Sequence, residues 1–336
     1  MPEDGTSAFA TTITLSTRVP QAMARSISRR HFLLGGTAAL AAGGVGYGCG
    51  AEPRWLERTE VHLSLSRAWS GKARVLHLSD LHRSRFVSLS FLEEAIELGL
   101  DSSPDLVCLT GDFVTAADST SLEGYVDLLR RLSDQAPTVA VLGNHDGGPW
   151  CASKGGDDST DRVRALLEAS GVDLLHNRER IVGVPGGRLR LVGVGDLWGE
   201  ECLPAKAFLS DRVRTDPIRE GLVPPSEGDE ADEADEGDEV PTLLLAHNPD
   251  TKDVAWPFAW DAMLSGHTHG GQVVLPWTGP PFVPVEDRRF IAGLHSWRDR
   301  WIYTTRGVGN ILGVRVNCRP EVTLLEVTGG KAAADA

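Results

Sequence analysis

Paired cysteines are missing from this 336-residue chain. Cys49, Cys108, Cys151, Cys202 and Cys318 show no C-x-x-C spacing, which argues against a zinc-thiolate site. Cys108 lies inside an apolar run and reads as a small core residue. Net positive charge is missing too: the formal charge is −14, so nucleic acid is not an expected partner. Part of that excess is local. Residues 227–239 hold nine carboxylates and no base, and setting those aside leaves −5 for the rest. With nothing apolar to bury, this run reads as a disordered surface insertion at about 225–240. The alternative is a cation-collecting or partner-binding loop, although the Gly turn and terminal Glu spacing of a calcium loop are lacking. No repeat of fixed period is visible, and no long hydrophobic run. The uncharged stretch from Gly35 to Gly48 is short for a transmembrane span.

That stretch follows Ser28-Arg29-Arg30-His31-Phe32-Leu33-Leu34. A twin arginine ahead of a mild Gly/Ala-rich apolar segment resembles the signal that exports already folded bacterial proteins. Residues 1–50 are therefore expected to be a signal or anchor segment read by the twin-arginine export machinery. Such a signal implies the periplasm or the outer face of the cytoplasmic membrane. Cleavage, lipidation at Cys49 and retention as an anchor are all open.

From Arg74 the pattern alternates between strand and helix. Strand-like Val75–Ser79 and Asp105–Thr110 flank a run with helical spacing at Phe91-Leu92, Ala95-Ile96 and Gly99. Leu122, Tyr125-Val126, Leu128-Leu129 and Leu132 mark a second helix before the strand Val139–Leu142. Thr160 caps a third, which Gly171 stops. This β-α-β-α-β opening predicts parallel pairing with helices packed on a sheet. Later residues are richer in strands: Ile181–Val184, Leu189–Val194, Thr242–Ala246, Val273-Val274, Trp301–Thr304 and Val322–Val327, with a hairpin turn at Gly186-Gly187. The expected fold is α/β, with two packed mixed β-sheets flanked by helices in one domain over residues 51–330.

Five polar clusters punctuate this domain: Asp80-Leu81-His82, Gly111-Asp112, Gly143-Asn144-His145-Asp146, His247-Asn248-Pro249-Asp250 and Gly266-His267-Thr268-His269. Most follow an apolar run, so they gather at strand ends, and a strand-end alternation would put Asp80 and His82 on one side with Leu81 toward the core. Carboxylate, imidazole and amide oxygen suit divalent cations. Two such cations roughly 3.5–4 Å apart generate hydroxide and neutralise the charge that protects phosphate esters from attack. Gly111, Gly143 and Gly266 stand where a crowded site leaves no room for a side chain.

This ordered series resembles the calcineurin-like metallophosphoesterase superfamily, from about Arg74 to Glu326. The resemblance implies a four-layer α/β/β/α sandwich and a binuclear centre of two divalent metal ions (Mn, Fe or Zn). Asp80, His82 and His269 would hold the first, Asp112 would bridge, and Asn144, His247 and His267 would hold the second. His145 would be the general acid, and Asp146 would orient it or a backbone group. The implied reaction is hydrolysis of a phosphodiester or pyrophosphate by metal-hydroxide attack. A phosphomonoesterase or protein phosphatase, and a non-catalytic metal-dependent envelope binding protein, are the alternatives.

His247-Asn248-Pro249-Asp250, the extension through Gly270-Gly271-Gln272, and Arg306-Gly307-Val308-Gly309 are similar to the exported or membrane-associated bacterial members. Some of those cleave the pyrophosphate of UDP-diacylglucosamine, which makes a lipid-linked substrate and a membrane surface expected partners. Gly193-Val194-Gly195-Asp196 departs from the Gly-Val-Asp-Asp of relatives. Trp256, Trp260, Trp277, Trp297 and Trp301, with Phe282, either pack in the core and loops or meet a lipid, nucleobase or bilayer. Arg306 either grips a substrate phosphate or pairs with a carboxylate.

Overall fold

The computed structural model describes residues 43–44, 46–65, 69–208 and 240–329. The twin arginine and the acidic run lie outside the described residues. Every strand and helix named here belongs to the unit Gly44–Ala336. Among the described residues, no helix is long and apolar enough to cross a membrane.

Twelve strands form two mixed sheets: β1 (Glu57–Ser64), β2 (Lys72–Leu78), β3 (Leu106–Thr110), β4 (Thr138–Val141), β5 (Asp173–Leu174), β6 (Arg178–Val184), β7 (Gly187–Gly193), β8 (Thr242–Leu245), β9 (Ala262–Ser265), β10 (Gly293–Trp297), β11 (Arg300–Thr304) and β12 (Glu321–Thr328). One sheet runs β1-β12-β2-β3-β4-β5 and the other β10-β11-β9-β8-β7-β6. β2, β3 and β4 are mutually parallel, and so are β7, β8 and β9. The two-sheet α/β architecture expected from the sequence is the one observed.

Strand alternation sorts the apolar residues into three layers. Val75, Leu106, Cys108 and Val139 face Leu191, Leu243, Leu245 and Leu264 between the sheets. The opposite face of the first sheet, with Leu76, Leu78, Val107 and Leu109, packs on helices α1 (Leu89–Leu100), α2 (Tyr125–Gln135) and α3 (Asp161–Ala169). The outer face of the second sheet is covered differently. Val192, Leu244, Met263 and Ile302 pack against Trp260, Phe290 and Trp297, carried by loops and a strand end.

Several local expectations shift. Leu122 lies outside α2, because Gly124 at φ 75° starts that helix at Tyr125. Thr160 precedes α3, but its hydroxyl binds Arg164 Nε (2.7 Å) and caps no backbone N–H. The β6–β7 turn is Pro185-Gly186, one residue early, since Val184 pairs with Gly187. Val273-Val274 makes no strand, only a single bridge from Val273 to Val316.

One fully buried cation ties the C-terminal loop down. Arg315 donates to the carbonyl oxygens of Arg306, Gly307, Gly309 and Cys318. Arg315→Met would strand these acceptors, each worth about 1–3 kcal/mol when buried unsatisfied. The expected result is a loss of several kcal/mol in unfolding free energy, read as a lower denaturant midpoint, and an unchanged midpoint would refute this reading of the loop.

Candidate metal centre

The parallel triplets end at one edge, and their loops carry the polar clusters. Asp80 and His82 follow β2, Asp112 follows β3, and Asn144 and His145 follow β4. From the second sheet, His247 follows β8 and His267 and His269 follow β9. The structure brings all of these sequence-predicted residues together. Asp112 Oδ2 lies 3.3 Å from His82 Nε2 and 3.2 Å from His247 Nε2. His269 Nε2 lies 3.0 Å from His82 Nε2 and 3.4 Å from Asp80 Oδ1. His247 Nε2 and His267 Nδ1 are 3.1 Å apart. Asp80, His82, Asp112 and His269 offer ligand atoms within 4.8 Å of one another, all buried.

The backbone reaches these positions in an unexpected way. Asp80 and His82 do not alternate along a strand: β2 stops at Leu78, and both adopt left-handed φ values of 53° and 46°. Asp112 (56°), His267 (68°) and His269 (51°) do the same. Each such residue costs on the order of 1 kcal/mol. Neighbouring strands hold them there. Asp80 N–H donates to Gly111 O (3.0 Å), and His82 N–H to Asp112 O (2.9 Å). Asp146 fixes the next loop rather than His145, its carboxylate accepting from the N–H groups of Asp112, Phe113 and Gly143 at 2.9, 2.7 and 2.8 Å. Burial and the nearby Asp112 charge push Asp146 up to about 7, while those donors favour its ionised form. Glycine is required at two contacts: a Cβ on Gly143 would sit 2.2 Å from Asp112 Oδ1, and one on Gly266 would sit 2.2 Å from Asp80 Oδ2.

The histidines are oriented as ligands. His247 Nδ1 meets Thr110 O at 2.7 Å and His267 Nε2 meets Pro284 O at 3.0 Å. A carbonyl only accepts, so these outer nitrogens carry the protons and the inner ones, when neutral, carry lone pairs. These inner nitrogens approach to 3.1 Å, so positive charge between them is favoured, whether a proton on His247 or a bound cation. Asn144 Oδ1 is likewise a buried acceptor without a protein partner. Burial, with the neighbouring His247, holds His267 well below the ordinary imidazole range. Burial, with His82, does the same for His269. Burial opposes a charge on His247, but Asp112, Asp80 and Asp196 outweigh it and hold its pKa well above the usual value. The acidic centre thus attracts a cation, and its donor set fits divalent metal.

His145 accepts the Ala116 N–H at Nδ1 (3.0 Å), so its neutral ring is protonated at Nε2. It packs edge-on against Trp150 at 4.8 Å between centroids, Trp150 lies 5.7 Å from Trp198, and Trp198 stands 4.4 Å from His267. These tryptophans, with Lys154, Pro284 and Ile311, line a cavity of about 350 Å³ that also reaches Asp112, Asn144, His267 and His269. Sequence reading looked to other tryptophans. Of those, Trp256, Trp260 and Trp297 pack in the outer core, as the packing alternative predicted, with Arg298 and Arg300 against their rings. Closeness in sequence to a cluster was the usable signal for the cavity pair: Trp150 follows Asp146 by four residues and Trp198 follows Asp196 by two. Arg306 pairs with Glu57 and Glu321, both at 3.0 Å, as its carboxylate alternative predicted.

Comparison with known proteins gives matching results. A family model described as calcineurin-like phosphoesterase matches residues 73–271. Phosphodiesterase YaeI of Escherichia coli (strain K12) is 41% identical over 302 residues, 90% of this chain and 99% of that one. UDP-2,3-diacylglucosamine pyrophosphatase LpxG of Chlamydia trachomatis is 24% identical, covering 82% of this chain and 90% of that one. Among solved structures, the NAD nucleotidase NadN of Haemophilus influenzae aligns with a TM-score of 0.40 at 11% identity, over 70% of this chain and 45% of that one.

Gly143→Ala tests the crowding at the centre. Its Cβ has to displace the Asp112 carboxylate, so bound metal measured by plasma mass spectrometry should fall at least about tenfold, with far-UV dichroism unchanged. Wild-type metal content in this variant would show that Asp112 is not needed there.

Proposed function

We propose, from the premise that this chain belongs to the calcineurin-like phosphoesterase family and is a hydrolase of phosphoester bonds, that it cleaves phosphodiester or pyrophosphate bonds at a two-metal centre. The observation that carries this is the position of Asp112, whose one carboxylate oxygen lies 3.3 Å from His82 on one side and 3.2 Å from His247 on the other. Asp80, His82 and His269 would hold one cation, Asn144, His247 and His267 would hold the other, and Asp112 would serve both. Bound divalent cations, whether Mn, Fe or Zn, supply an activated water and offset the phosphate charge.

The chain's own groups do the remaining work. The carbonyls of Thr110 and Pro284 fix the tautomers of His247 and His267. Ala116 N–H leaves the His145 proton on Nε2, the form that can donate to a departing oxygen. Burial holds the His145 ring down at about 4, with Asp112 acting in the opposite direction. A second proton on Nδ1 would break the Ala116 hydrogen bond, so the neutral ring, through its Nε2–H, is the form turned to a departing oxygen. Trp150 and Trp198 wall off water and offer apolar surface to the second arm of a diester.

The diester assignment draws on the similarity to YaeI. A lipid-linked or UDP-diacylglucosamine-type substrate draws on the weaker similarity to LpxG. Export by the twin-arginine route to the outer face of the cytoplasmic membrane draws on Arg29-Arg30 and the apolar stretch after it.

Hydrolysis of bis-p-nitrophenyl phosphate with Mn²⁺ should exceed that of p-nitrophenyl phosphate and should stop with chelator. His145→Ala is expected to lower kcat by about 10²–10⁴-fold while retaining metal. A faster monoester reaction would move the assignment to a phosphomonoesterase. Turnover indifferent to chelator would overturn the metal mechanism.

A further inference from the structure

The mouth of the centre bears an apolar projection that catalysis does not use. Leu275 and Gly279 bond each other's backbones (3.1 and 3.0 Å), closing a tight turn with Trp277 at its tip. Trp277 is 101% exposed and held at a left-handed φ of 66°. Phe282, on the same loop, is 86% exposed. A bulky residue at positive φ is disfavoured, and leaving an indole wholly in water forfeits the burial worth of a large aromatic. Among the described residues, none covers the Trp277 ring.

The loop is anchored to the site itself. Pro280 packs so closely on Gly271 that a Cβ there would lie 2.2 Å away, and Pro284 O holds His267 Nε2. Its other neighbour is the segment where the chain enters the fold. Val316 N–H donates to Gln272 O (3.0 Å), and Val316 O accepts from Val274 N–H (2.8 Å). The adjacent Arg315 N–H donates to Gly48 O (2.9 Å). Gly48 closes the uncharged apolar stretch Gly35 to Gly48. Leu312 (68% exposed) and Phe86 (48%) are further exposed apolar side chains, the latter packed by Gly313. Exposed apolar side chains collected in this way mark an interaction surface. Its occupant follows from the setting: an aromatic tip on a loop that leads into Pro284 at the cavity, near the Arg315 contact with Gly48, where an uncharged apolar run of the sequence ends.

We propose that the Leu275–Phe282 loop inserts into the headgroup region of a lipid bilayer and seats the mouth of the metal centre on the membrane surface. Trp at such an interface keeps its ring in the acyl boundary and its N–H in the headgroups. The phosphoesters within reach are then those of the bilayer surface. The proposal extends the phosphoesterase reading and is tested separately from it.

Full-length protein is mixed with vesicles of phosphatidylethanolamine and phosphatidylglycerol carrying brominated acyl chains. Wild-type tryptophan fluorescence should be quenched, and Trp277→Phe should lose a distinct part of that quenching. The Trp277→Ala/Phe282→Ala pair should lower vesicle partitioning by about tenfold or more. Hydrolysis of soluble bis-p-nitrophenyl phosphate should be the same in all three proteins. That reaction fails in the wild type if the phosphoesterase reading is wrong, whatever the vesicles show. Equal quenching in wild type and Trp277→Phe would overturn the proposal, since membrane binding would then come from the N-terminal stretch alone. Absence of vesicle binding by the wild type would also overturn it and assign the surface to a protein partner.

Discussion

A buried carboxylate shared between two imidazoles governs this molecule. Asp112 has almost no contact with solvent, and burial opposes its charge, yet His247 and His145 hold its pKa well below the usual range. The architecture keeps that carboxylate from moving. Asp146 gathers the N–H groups around it, Gly143 vacates the space beside it, and His145 N–H binds its other oxygen at 2.9 Å. In an interior of low dielectric, an acceptor-rich cluster of this kind is stable only with cationic charge at its centre. The left-handed backbone at Asp80, His82, Asp112, His267 and His269 is part of the same requirement: strain kept where geometry matters and offset by sheet packing on both sides.

Much of the site was legible because its residues sit at breaks in hydrophobic pattern. The runs before Asp112, Asn144 and His247 became β3, β4 and β8, each buried along its length. The order of clusters carried information that no single Asp or His carries. The manner of reaching the metal was not legible. Period-two alternation treats Asp80 and His82 as strand residues, whereas a positive φ after Leu78 is a tertiary effect, imposed by hydrogen bonds to Gly111 and Asp112 on the neighbouring strand's loop.

The fold was readable in its centre and obscure at its edges. β1 (Glu57–Ser64) is half-polar and partly exposed, so it lacks the apolar run that announces a core strand, and only its parallel pairing with β12 defines it. β9 is four residues long and was hidden behind Trp260-Asp261, although it delivers His267 and His269. The cavity tryptophans were hidden for a related reason. Trp256, Trp260 and Trp297 belong to one outer layer of core, while Trp150 and Trp198 are 48 residues apart in sequence and joined only by the two sheets meeting.

The clustered carboxylates and imidazoles come from loops after five strands in two sheets, and His82 meets His269 across 187 residues of chain. No fragment of the protein owns a binding site, so a cation adds its affinity only to the finished fold and withdraws it on leaving. Metal supply thereby becomes a condition of the protein's lifetime. A cell starved of the cation would lose molecules to proteolysis as well as turnover, and abundance, more than specific activity, would register the shortage.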